Sequence, residues 1–240
     1  MMNSRSMLSA LALKGLTVVL VVAGLGASVM LASANPVNFQ MYVSADDDFD
    51  LYVGNATSAT TLIANHNGGW ATPYFYSQTL QVNDYIYIPA MDIAAGVWGL
   101  GGYTSTNGGA TWTPILASSP NWEVVYVDSP GQGGDINNSV MDLATLNTVI
   151  ANANANNLWT TPVSGTALPG FGLPNFYNPP SSLPAQGCIW TDIPGTREQQ
   201  AYMRVVFRYK VVPEPASLMA LTVGLAGVVG IKRRKRSTAA

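Results

Sequence analysis

A chain of 240 residues with one cysteine, Cys188, and one histidine, His66, is poor in the side chains that most often do chemistry. One thiol closes no intramolecular disulfide, and one imidazole builds no histidine-based zinc site. Nucleophilic catalysis by a thiol and an imidazole would need Cys188 and His66 to meet. The ordinary states are instead a buried, inert thiol between Gly187 and Ile189 and a solvated loop histidine. Charge is scarce as well, at 10% of residues. Seven of the eleven basic residues lie near the ends, Arg5 and Lys14 at one and Lys232 to Arg236 at the other. Between them only Arg197, Arg204, Arg208 and Lys210 face twelve acidic residues from Asp46 to Glu198. That excess of negative charge excludes a grip on nucleic-acid phosphates. A phosphate-cradling Gly-rich loop and a nucleophile elbow are absent too, so no enzyme is expected. A glycosidase needs only two carboxylates, however, and a polysaccharide hydrolase stays an alternative.

Apolar ends are what the chain has in place of charge. After Arg5 and Lys14 comes "GLTVVLVVAGLGASVML", Gly15 to Leu31, then Ala32-Ser33-Ala34. Basic start, apolar run and small residues in that order read as a secretory signal peptide over residues 1–34, with Ala32 and Ala34 marking the A-x-A cleavage site; an uncleaved anchor is the alternative. At the other end Pro213, Glu214 and Pro215 precede an apolar run from Ser217 to Ile231, shorter than the ~20 residues of a comfortable span. The prolines stop a helix from extending backwards, and Lys232, Arg233, Arg234, Lys235 and Arg236 form a basic stop held on the cytoplasmic side. Gly224, Ala226, Gly227 and Gly230 smooth one side of that helix for docking to another.

This tail, residues 213–240, resembles that of the bacterial PEP-CTERM proteins, whose sorting signal joins a Pro-Glu-Pro motif, a short apolar helix and a terminal basic cluster. The resemblance implies recognition of Pro213, Glu214 and Pro215 by an exosortase, transient anchoring in the inner membrane of a Gram-negative bacterium, and delivery to the cell surface or exopolysaccharide matrix. A plain stop-transfer anchor is the alternative.

Residues 35–212 form the extracytoplasmic domain, a middle of roughly 180 residues that is long enough for an ordinary core. "NFQMYV", "FDLYVG", "DYIYIPA" and "AYMRVVFRYKV" are short, partly alternating and rich in Tyr, Val, Ile and Phe, as half-buried strands are. Gly68-Gly69, Gly101-Gly102, Gly108-Gly109 and Gly133-Gly134 fall between them as turns. The expected fold is all-β, a β-sandwich. One surface helix is expected from Ser139, with Val140, Leu143, Leu146, Ile150 and Ala153 at helical spacing and Ser139 with Asp142 as capping box. The proline-rich stretch Thr161 to Gln186 reads as a long loop.

"SADDDFDLYVGN" resembles the opening of galactose-binding-like jelly-roll modules, in which an acidic pair precedes a strand of the Leu-Tyr-Val kind; Ala45-Asp46-Asp47 and Leu51-Tyr52-Val53 match, while Gly54-Asn55 reverses the usual order. Trp70, "DYIYIPAMD", "GVWGLGGY" and "CIWTDIPGTREQQAYMRVVFRY" resemble later pieces of the same modules. The resemblance implies a jelly-roll sandwich in which Asp46 and Asp47 serve calcium and sugar hydroxyls. The residues themselves point there too. Asp46, Asp47, Asp48 and Asp50 crowd four carboxylates into five positions, which a hard cation such as calcium would relieve, helped by Asn65, Asn67 and carbonyls near Gly68-Gly69; a solvated acidic turn is the plain alternative. Trp70, following turn residues, is the candidate for stacking on a sugar ring, although most aromatics of a sandwich are core. The expected function is non-catalytic binding of carbohydrate or exopolysaccharide, with or without calcium. A self-associating structural protein of the matrix or surface is the alternative.

Overall fold

A computed structural model of the chain describes residues 36–66, 73–92, 99–128, 140–165, 188–192 and 203–213. The signal peptide, Trp70, Asn67, most of the proline-rich loop and the tail from Glu214 onward lie outside the described residues.

The strands are β1 (Val37–Asp46), β2 (Asp48–Asn55), β3 (Ser58–His66), β4 (Tyr74–Leu80), β5 (Tyr85–Met91), β6 (Gly99–Ser105), β7 (Thr113–Pro114), β8 (Trp122–Asp128), β9 (Val163–Ser164), β10 (Cys188–Trp190) and β11 (Arg204–Lys210). They pair antiparallel into two sheets. The first runs β4-β1-β6-β10-β9 with β7 on β6, and the second runs β3-β2-β5-β11-β8. Period-two alternation explains the sandwich. On β1, Val37, Phe39, Met41, Val43 and Ala45 point inward; on β11, Val205, Phe207 and Tyr209 do the same, and Val211 continues the row. Between the sheets Phe39 meets Tyr76 and Tyr209, and Trp190 meets Phe207, with ring centroids 5.6 to 6.0 Å apart. The chain crosses from the first sheet to the second at a single residue, Asp47, whose N–H donates to Met91 O at 2.9 Å.

Helix α1 (Leu143–Asn156) covers the outer face of the second sheet. Its buried Leu146, Ile150 and Ala153 pack with Tyr52, Ala59, Tyr87, Val125 and Val206. The helix expected from Ser139 starts later, because Asp142 is itself the N-cap, its side chain accepting from Thr145 N. Val140 is buried ahead of the helix and Leu143 is exposed on it. Asn157 in the left-handed region ends it, donating its N–H to Ala153 O.

The same helix seals an edge. Asn147 accepts from Ala59 N at 2.8 Å and donates to Ala59 O at 3.1 Å, filling both backbone groups of edge strand β3 as a further strand would. Ile63 and Thr60 are extra residues in the β3 register, and such bulges blunt an edge against pairing.

Two expectations about local structure change. Gly101-Gly102 is not a turn but part of β6, where β1 and β6 come so close that a Cβ on Gly102 would lie 1.9 Å from Tyr42 O, and φ is +142°. The start of the proline-rich stretch contributes β9, a two-residue edge strand on β10.

Candidate functional site

The outer face of the first sheet is built by the residues that alternate with its core. In register across β4, β1 and β6 lie three rows: Phe75, Tyr42 and Tyr103; Ser77, Gln40 and Ser105; and Thr79 with Asn38. The third row continues through a bridge from Asn38 to Asn107. The first row is aromatic and the other two are amides and hydroxyls. Phe75 is 45% exposed, Tyr42 is half-buried and Tyr103 is buried. Asn38, Ser77 and Thr79 are exposed.

Trp112 joins the aromatic row from the turn between β6 and β7. Its ring centroid lies 5.1 Å from that of Tyr42, which in turn lies 4.7 Å from Phe75. The turn is set by side chains that hold backbone. Ser105 Oγ accepts from Gly109 N, and Asn107 Oδ1 accepts from Thr111 N and from Ser105 Oγ. Gly108 donates its N–H to Asn38 O at 2.8 Å. Gly108 and Gly109 have φ of +72° and +84°, and a Cβ on Gly109 would lie 2.6 Å from Gln40 Oε1. Glycine there lets the turn fold flat onto the sheet and lay Trp112 beside Gln40. The Trp112 Nε1 is buried with no hydrogen-bond partner among the described residues.

Polar groups on this face remain available. Among the described residues Gln40 and Ser77 make no side-chain hydrogen bond, and Asn38 receives only a long one, 3.4 Å, from Thr79. Ring faces beside free amides and hydroxyls suit a ligand with an apolar face and a hydroxyl rim.

The described residues among those singled out in the sequence lie outside the three rows of this face. Asp46 ends β1 opposite Gly99, and Asp47 is the half-buried corner. Asp48 and Asp50 are buried on the outer side of β2, not in a solvated turn. Asp50 Oδ2 accepts from Met141 N at 2.8 Å while Tyr52 OH donates to Met141 O at 2.6 Å, so this carboxylate pins the chain just before α1. Among the described residues no three Asp, Glu, His or Cys side chains gather as a metal cage. Asn65 is exposed on β3, opposite Asp50. His66 is not a loop residue: it closes β3 and stacks on Phe49, 4.8 Å between centroids. Cys188, half-buried on β10, lies in the other sheet from His66, and burial pushes its thiol pKa up, away from the reactive thiolate.

The sorting signal meets the fold at the end of β11. Val211 is fully buried; its N–H donates to Asp84 O, and its carbonyl accepts from Asn83 N, both at 2.9 Å. A cavity of about 400 Å³ opens beside it, lined by Thr104, Leu116, Tyr209, Val212 and Pro213 among others. A family model described as the PEP-CTERM protein-sorting motif matches residues 211–235. The chain carries this motif, and with it the character of an exported, surface-sorted substrate of an exosortase. The match takes in Pro213, Glu214, Pro215 and the basic residues Lys232 to Lys235, and its first residue is a core residue of the sandwich, so no spacer separates fold from signal. Among the described residues no helix is long and apolar enough to cross a membrane. No curated protein and no solved structure matches the chain.

Proposed function

We propose that this exported protein is a non-catalytic carbohydrate-binding protein of the cell surface or exopolysaccharide matrix, held in the inner membrane by its tail until processing. The observation that supports binding is the row Phe75, Tyr42 and Trp112 flanked by Gln40, Asn38 and Ser77. Aromatic faces receive the C–H face of a sugar ring, and amides that both donate and accept receive its hydroxyls. The sorting motif supports the delivery. The resemblance to galactose-binding-like modules favours a sugar too, but at the Asp46 and Asp47 corner and with calcium.

Thermal unfolding of the full-length chain separates these surfaces, because a ligand of the folded state raises the midpoint. The host's exopolysaccharide should raise it in the native chain and in an Asp46→Ala, Asp47→Ala variant, and not in a Tyr42→Ala, Trp112→Ala variant. A shift that needs calcium and vanishes in the aspartate variant would move the site to the corner. No shift, with size growing with concentration, would favour the self-associating structural protein.

A further inference from the structure

The strands of the two sheets differ sharply in charge. Residues 36–45, 73–83 and 99–122, which supply β4, β6, β7, nearly all of β1 and the turn carrying Trp112, contain no Asp, Glu, Lys, Arg or His. β9 and β10 add none, and Asp46 is the one charged residue in the strands of the first sheet. The other charged strand residues, Lys210 among them, belong to the second sheet. Its two strand arginines are already paired, Arg204 with Asp128 at 2.5 Å and Arg208 with Glu123 at 2.7 Å.

Many matrix polysaccharides carry carboxylate, sulfate or phosphate groups, and a protein holds these with Arg guanidinium forks or Lys ammonium groups. Among the described residues the aromatic face has no such group, and the acidic excess of the domain sets up a field that repels a polyanion. What the face does offer is neutral: the rings of Phe75, Tyr42 and Trp112, the amides of Asn38 and Gln40, and the Ser77 hydroxyl. Phe75, Asn38 and Ser77 are exposed along it, on a sheet surface that crosses three strands and, among the described residues, forms no socket for a chain end. From this we infer that the ligand is an extended, uncharged polysaccharide lying along the outer face of the first sheet. The inference rests on the carbohydrate reading above and names its substrate class.

The test is retention of the full-length chain in gels containing hydroxyethylcellulose, a neutral glucan, or alginate, a polyuronate, each run at low and high salt. The neutral polymer should retard the chain, with a dissociation constant unchanged within about twofold across salt, since no ion pair is there to be screened. Alginate should not retard it. Tyr42→Ala and Trp112→Ala should each weaken neutral-glucan retention at least tenfold. Retention by alginate alone, falling as salt rises, would overturn the inference and leave a carbohydrate-binding protein with another site. Neutral retention untouched in both variants would overturn the location. Retention by neither polymer would overturn both the substrate class and the carbohydrate reading.

Discussion

The two outer faces of the sandwich use the same residue types to opposite ends. On the second sheet Tyr52, Tyr87 and Val206 lie under α1, and every nearby amide is engaged: Asn147 on Ala59, Asn154 on Ala56 O, the Trp159 indole and Arg208. Arg208 lies over the Trp159 ring at 4.0 Å and over Tyr85 at 5.5 Å, bonded to Glu123. On the first sheet Phe75, Tyr42 and Trp112 have no such helix among the described residues, and Gln40 and Ser77 keep their hydrogen bonds unmade. Aromatic content alone therefore says nothing about binding. What separates a packing face from a binding face is whether its polar groups are already satisfied within the fold.

The largest break in that comparison comes from the covered face. Ile150→Ala should cost about 2–5 kcal/mol by opening a cavity under α1, seen in denaturant unfolding, while the folded fraction keeps its glycan affinity. Asn147→Ala should cost about 1–3 kcal/mol, since it strips both partners from the Ala59 backbone and reopens an edge; aggregation by light scattering should rise with it. On the open face Trp112→Ala should lose only about 1 kcal/mol of stability, the order of one aromatic pair, yet reduce glycan binding at least tenfold. Gly109→Ala should cost about 1 kcal/mol through its positive φ and push Gln40 and Trp112 apart, lowering affinity without touching a ligand.

The smallest effect is alkaline. Burial raises Tyr76 and Tyr87, one on each sheet, to about 12. Their protonated forms are favoured by the fold, so this contribution is whole below pH about 10 and is lost as pH rises through about 12. Ultraviolet titration of tyrosine should show late-ionising residues, and unfolding should begin in that window.

Much of this was legible in the sequence. The alternation in "VNFQMYVSAD" gives both the core row and the outward Asn38, Gln40 and Tyr42, and the charge-free stretches can be read by eye. The sorting tail was legible because its three parts are adjacent in the chain. The aromatic row was not, because Tyr42, Phe75 and Trp112 meet only through a register fixed by distant strands and a glycine turn. The places of the clustered aspartates were hidden in a related way. Its density in the chain is evident, but that Asp47 turns the corner and Asp50 holds Met141 depends on a segment some ninety residues further on.

Hydrogen–deuterium exchange of the full-length chain, with and without neutral glucan, tests the contrast between the faces most directly. Slowed exchange is expected in β1, β4 and the turn from Ser105 to Trp112, and no change in α1, β3 or the Asp47 corner. Protection confined to the Asp47 corner or to α1, with β1 and β4 unchanged, would contradict it.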